Sequence, residues 1–184
     1  MSVVTALSRT CNLRDFPGCI TVADWQQSLA EEAWALWESE YHIRTRASSL
    51  VVNYSDIGFI APGPAAVYEY YEQPTNGIHR GLPAIWGLCV LDRTEAPVKF
   101  LSRAALVLRQ HGLLFLTFAF WDAEGEDTAA GHQHRMRIYD ERNWRKLIVD
   151  AKRAGFQTFG GVDWTYHGNL LDDHSLASLV LTRR

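Results

Sequence analysis

Between Asp122 and Arg137 the chain reads DAEGEDTAAGHQHRMR, crowding carboxylates, imidazoles and guanidinium groups into one short segment. An imidazole titrates near neutral pH, so His132 is the first candidate general base and His134 its alternate. Arg135 and Arg137 are candidate anchors for an anionic substrate group, because a guanidinium presents a fork of donors to paired oxygens. Trp121 and Tyr139 flank the segment and are candidate planar covers for a ligand, although both carry enough apolar area to close a core. His132 and His134 would share one face of a strand, with Asp122 or Asp127 as an oxygen donor. Structural zinc takes about four ligands and catalytic zinc about three plus water, so no metal is expected. The bland alternative is a solvated loop whose arginines pair with Glu126 or Asp127.

Two further candidates lie outside that segment. Asp92 follows an apolar run and is placed to cap a helix with Thr94. Asp172-Asp173-His174-Ser175 contains the residue types of a hydrolytic triad, but neighbours in sequence do not converge as nucleophile, base and orienter, and no GxSxG turn accompanies them.

These residues need elements to hold them. Thr21 to Asp24 has the pattern of a capping box. Val22, Trp25, Leu29, Ala33, Leu36 and Trp37 then recur at helical spacing, predicting a helix of about 18 to 20 residues. Its tryptophans face a core or a partner. Ser49 to Tyr54 reads as a buried strand, Ala65 to Tyr71 as a helical or irregular stretch, and Ala84 to Leu91 as a strand. Thr94 is the expected cap of a second helix whose inner face is Val98, Leu101, Ala105 and Leu108, stopped by His111-Gly112. Leu113 to Phe120 is apolar almost throughout, as in a central strand covered on both faces. Asp140 caps a third helix with Trp144, Leu147, Ile148 and Ala151 inward. Strands are expected over Gln157 to Tyr166 and Leu176 to Thr182, the last two as antiparallel neighbours. The order is that of an α/β sheet.

At 184 residues, with 47% hydrophobic and 21% charged, the sequence describes one packed domain. A net charge of -3 provides no general basic field, and no nucleic-acid motif accompanies Arg44, Arg46, Arg135 and Arg137. Nucleic acid is therefore not an expected partner. No apolar run reaches the roughly 18 to 20 residues of a membrane span. The amino terminus lacks a signal-peptide pattern, so a cytoplasmic location is expected. Three cysteines without CxxC spacing point to reduced thiols.

The stretch from Val90 to Arg184 resembles the C-terminal half of class I S-adenosylmethionine-dependent methyltransferases. The resemblance is carried by Phe100 to Thr117, by Arg137-Ile138-Tyr139-Asp140, by Ala154-Gly155-Phe156 and by the closing strand. Where that family ends the leading helix in Pro-Gly-Gly, this chain has Gln110-His111-Gly112. The resemblance implies a Rossmann-like methyltransferase sheet within a single domain, residues 1–184. Residues 1–48 would be a helical extension and 84–184 the recognisable sheet core. It further implies S-adenosylmethionine held over the first strands by a glycine-rich turn and by an acid at the end of the second strand. No such turn is present, so the cofactor-binding half is expected to be shortened or remodelled. Two functions follow. In one, a methyl group passes to an unidentified, small-molecule acceptor, with a proton taken up by His132 or by Asp92, which stands where many members of that family place a substrate-facing or catalytic residue. In the other, a noncatalytic methyltransferase-like module binds or assembles, as a homo-oligomer or with a protein partner through the N-terminal helix.

Overall fold

In the computed structural model the described residues are 6–12, 21–42, 49–53, 59–62, 65–69, 81–121, 137–168 and 174–184. The first helix, α1 (Val22–Tyr41), starts as its sequence dictates. Thr21 Oγ1 accepts from the Asp24 amide at 3.2 Å, and an Asp24 carboxylate oxygen accepts from the Thr21 amide at 2.8 Å. The strand β1 (Ser49–Asn53) and, in place of the expected helical or irregular stretch, the strand β2 (Ala65–Glu69) follow. Local pattern in Ala65 to Tyr71 is too short to fix a period, and pairing with β1 decides the outcome in favour of Val67 and Tyr68, both β-prone. The rest of the chain supplies β3 (Leu82–Leu88), α2 (Pro97–Val107), β4 (Leu108–Phe120), α3 (Glu141–Arg153), β5 (Phe156–Thr158) and β6 (Ser175–Arg183). The expected strand over Gln157 to Tyr166 is therefore much shorter than its β-prone sequence.

The strands form a six-stranded sheet in the order β2-β1-β3-β4-β6-β5. β2, β1, β3 and β4 run parallel, and β6 lies antiparallel between β4 and β5. β5 occupies only the far end of β6. Along the remainder, residues 8–11 take over the edge: Cys11 N donates to Leu176 O at 2.7 Å, and Ser178 N donates to Arg9 O at 2.9 Å. An otherwise open strand edge is thus satisfied by the amino-terminal segment.

Alternation along the strands divides the core in two. Leu114, Leu116, Phe118 and Phe120 point with Leu179 and Leu181 toward α2 and α3. There Phe118 and Phe120 meet the Trp144 ring edge-on. Leu113, Phe115 and Val180 point toward α1, whose Trp25, Trp34 and Trp37 are buried with them. The tryptophan face of α1 is therefore spent inside the chain, and any partner would meet the helix elsewhere.

Two local expectations are corrected in α2. Its N-cap is Ala96, with Pro97 in the first turn, while Thr94 Oγ1 accepts from the Ala96 amide at 3.3 Å instead of capping. Its inner face is Phe100, Leu101, Ala104 and Val107, leaving Val98 exposed and Ala105 partly buried. Phe100, the largest apolar side chain of the segment, sets the rotation of the helix. By contrast α3 matches its pattern: Asp140 caps it, accepting from the Asn143 amide at 2.6 Å, and Trp144, Leu147, Ile148 and Ala151 are buried.

The helix ends at Val107 and the chain enters β4 directly, before His111-Gly112. Leu82 lies opposite Leu108 and Ala84 opposite Leu113, so Arg109 to Gly112 are accommodated as a bulge. His111 is left-handed there, with φ 59°. A Cβ at Gly112 would stand 2.8 Å from the Arg109 carbonyl oxygen and 3.2 Å from Leu108 Cβ. Backbone is not free to retreat. Gly112→Ala is therefore expected to lower stability by about 1 to 3 kcal/mol, read from its denaturant midpoint. An unchanged midpoint would mean that the bulge relaxes freely.

Candidate active site at the carboxyl edge of the sheet

The order β2-β1-β3 means that the chain moves outward from β1 to β2 and then returns to the other side of β1. In open α/β sheets this reversal opens a crevice beyond the carboxyl ends of the strands, where ligands bind. Asn53 at the end of β1 is in register with Glu69 at the end of β2 and with Leu88 at the end of β3. Glu69 is not among the residues that the sequence singles out, because Ala65 to Tyr71 carries no clear strand period. The available signal was an acid closing the β-prone run Val67-Tyr68.

β3 leaves the sheet through Cys89, whose backbone is left-handed at φ 52°. The Cys89 amide donates to the Thr117 carbonyl oxygen at 3.0 Å, which holds the turn to β4. Thr117 is fully buried, and Gln26 Nε2 of α1 donates to its Oγ1 at 2.8 Å. Burial pushes the Cys89 thiol up to about 12, with Asp92 adding to the effect, so the sulfur stays protonated and is not an activated nucleophile.

Asp92 is 3% exposed and does not cap α2. Its Oδ1 accepts from the Ala119 amide at 2.9 Å, and its carbonyl oxygen accepts from the Arg137 amide at 2.6 Å. A single residue therefore ties together the exit of β3, the end of β4 and the segment that enters α3. Desolvation raises its carboxyl to about 7, opposed by the Ala119 hydrogen bond and by the Arg93 charge. Near neutral pH it exchanges a proton, but its burial makes it a wall of the site and not a surface that a bulky substrate touches.

The structure brings four of the sequence candidates, Asp92, Trp121, Arg137 and Tyr139, to the same edge. Trp121 N donates to Tyr139 O and Tyr139 N to Ala119 O, both at 2.9 Å, while Arg137 is held through Asp92. The chain thus leaves the described residues after Trp121 and re-enters them at Arg137, with both points beside the end of β4. His132, His134 and Arg135 lie outside the described residues, as do the acids at 122, 124, 126 and 127. Tyr139 is mainly a core wall, 4% exposed, with its hydroxyl donating to Leu91 O at 3.4 Å. It also borders a groove of about 300 Å³ between α2 and α3, shared with Arg137, Asn143 and Lys146. Among the described residues no group of three or more His, Cys, Asp or Glu is arranged to hold a metal, and no helix is long and apolar enough to cross a membrane.

The fold has counterparts among solved structures. The 4+2 cyclase SpnF superposes with a TM-score of 0.51 at 13% identity, covering 86% of this chain and 83% of that one. An S-adenosylmethionine-dependent methyltransferase from Clostridium acetobutylicum gives 0.53 at 10% identity over 85% of this chain and 92% of its own. A Galdieria sulphuraria protein provisionally named a sarcosine dimethylglycine methyltransferase gives 0.56 at 9% identity, over 96% and 92%. No family model and no curated protein matches the sequence. The likeness is one of fold alone: a Rossmann-like α/β arrangement around a mixed sheet with one antiparallel strand near its edge.

The Asp92 carboxyl has a direct consequence for stability. Its proton affinity is raised from 3.8 to about 7 on folding, so the native state keeps this proton after the unfolded state has lost it. Stability contributed by the group is present below pH 4 and is lost as pH rises toward 7. Asp92→Asn keeps an oxygen for the Ala119 amide but removes the titration. Relative to wild type the variant is expected to gain stability as pH rises through this window, by up to about 1.4 kcal/mol per pH unit. Denaturation curves at pH 4 to 7 measure the gap, and a gap independent of pH would remove the assignment.

Proposed function

We propose that the protein binds S-adenosylmethionine at the crevice between the carboxyl ends of β1 and β3 and uses it in methyl transfer to a small molecule. The observation that carries this reading is Glu69, an acid at the last position of the second parallel strand and in register with Asn53. An acid at that place suits the paired hydroxyls of a ribose, which donate to carboxylate oxygens. The residues at these strand ends therefore fit the chemistry of an adenosyl group. The backbone cradle that would complete the site falls in residues 54–58, outside the described residues.

When bound, the cofactor supplies an electrophilic methyl group. The chain's part is to orient the acceptor, exclude water and take up a proton where the acceptor has one to lose. The proton-accepting role is assigned to His132, with His134 as alternate, because the segment carrying them departs from and returns to the end of β4. Arg137 and Arg135 would hold an anionic part of the acceptor, with Trp121 and Tyr139 beside it. Asp92 is a positioning residue in this scheme, since it fixes the Arg137 backbone and the end of β4.

Binding decides between this reading and a noncatalytic module. SpnF, named as a cyclase, shares the fold, so fold alone does not select methyl transfer. Calorimetry with S-adenosylmethionine and S-adenosylhomocysteine is expected to give saturable binding near one per chain, weakened about tenfold or more in Glu69→Gln by loss of charge-assisted hydrogen bonds. A folded sample that binds neither molecule would overturn the proposal and leave the noncatalytic module.

A further inference from the structure

The bulge at the amino end of β4 places a cation where the described fold provides no anion. Arg109 Nε and Nη2 are both buried and lack hydrogen-bond partners, and so does His111 Nδ1 two residues on. The ion pairs formed among the described residues are Arg9 with Glu32, Arg145 with Glu141 and Arg153 with Asp150, none of which reaches Arg109. Burial lowers the Arg109 proton affinity from its usual value, yet a guanidinium remains charged at any physiological pH. Unpaired indole N–H groups at Trp25 and Trp144 each leave one neutral donor unmet. Arg109 leaves two donors unmet on a guanidinium that is otherwise part-exposed, and no hydrogen-bond acceptor among the described residues meets them.

Geometry makes this unmet edge specific. Nε and Nη2 form a single edge of the guanidinium, the edge whose two N–H groups run parallel and meet both oxygens of a carboxylate or phosphate. The Arg109 Cζ lies 5.3 Å from the centre of the Trp37 ring, which holds the plane in place against α1. Trp37 Nε1 donates to the His111 carbonyl oxygen at 2.6 Å, and the His111 ring stacks on Tyr41 at 4.8 Å. Trp37, Tyr41, Arg109 and His111 thus form one preorganised cluster, built by the last turn of α1 and the bulge that Gly112 permits. It sits at the end of the sheet opposite the crevice described above.

We propose that this cluster is an oxyanion-binding site, in which the Nε and Nη2 edge of Arg109 takes the phosphate or carboxylate group of a small molecule. His111 Nδ1 provides a further polar contact, and Trp37 and Tyr41 form its wall. The site is independent of S-adenosylmethionine binding and survives the failure of that reading.

The test uses the full chain, with thermal unfolding followed as inorganic phosphate replaces chloride at constant ionic strength, and the same titration with acetate to separate the two oxyanion classes. A saturable rise in melting temperature with either anion is expected in wild type. Arg109→Lys retains the charge and the stem but not the fork, and is expected to weaken the half-saturation point about tenfold or more. Arg109→Met is expected to abolish the response; should that variant not fold, Arg109→Lys decides. No response beyond chloride in wild type, or an equal response in wild type and Arg109→Lys, would overturn the proposal. So would self-association that depends on Arg109 without any anion response, because the fork would then serve a second protein chain.

Discussion

Burial of β4 on both faces is the constraint from which the rest of the structure follows. From Leu113 to Phe120 every residue is enclosed, so the strand needs a layer on each side and a hydrogen-bonded neighbour at each edge. α2 and α3 cover one face, α1 the other, while β3 and β6 take the edges. Only Thr117 interrupts the apolar run. Its hydroxyl cannot remain unmet at that depth, and Gln26 reaches it from α1. One buried hydrogen bond therefore sets how far α1 slides along the sheet, in a helix whose tryptophans would otherwise tolerate several positions. At the other end of the same helix the Trp37 indole bonds the bulge. α1 is pinned at two points, and neither depends on hydrophobic contact alone.

The same accounting explains the amino-terminal segment. Ser178 belongs to a strand buried on both faces, and its hydroxyl donates to Leu7 O at 2.7 Å while the Ser8 hydroxyl accepts from Val180 N at 2.9 Å. These bonds tie a strand late in the sequence to residues at its beginning. Chain ends usually lack such attachments and fray. Here the attachment replaces the part of β5 that is missing, since a full-length β5 would have supplied ladder bonds along the whole of β6. The short edge strand and the stitched terminus are thus two halves of one solution to an exposed sheet edge.

Elements with a long, unambiguous period were legible in the sequence: α1 with its capping box, α3 with its aspartate cap, and the continuous apolar run of β4. What escaped was decided by distant contacts. Ala65 to Glu69 becomes a strand because β1 offers an unpaired edge, which no local period announces. α2 turns by one position because Phe100 outweighs Val98 in the area that it buries. Asp92 illustrates the same limit within the site. Its proximity to Thr94 made a cap plausible, but the amide that claims it, Ala119, lies on the neighbouring strand and is invisible to spacing. Likewise the glycine turn at residues 110–112 was visible as a break, while its conversion into a strand bulge required knowledge of the register against β3.

The two ends of β4 differ in a way that bears on where function resides. At the carboxyl end three polar groups of the strand exit are paired: Thr117 with Gln26, Ala119 with Asp92, Tyr139 with Leu91. Burial, opposed by the Ala119 hydrogen bond, holds that aspartate at a proton affinity above its ordinary value. At the amino end stands instead a fixed guanidinium edge with nothing to bond. Both ends are built by the same means, a break in strand regularity next to an end of α1. In the one case the break brings a side chain back to satisfy the backbone; in the other it carries a cation into place and leaves it unmet. Sheet topology explains why the first break falls beside a ligand crevice. No topological rule requires the second, which rests on the register shift between Leu82 and Ala84 and on the space that Gly112 leaves beside the Arg109 carbonyl oxygen.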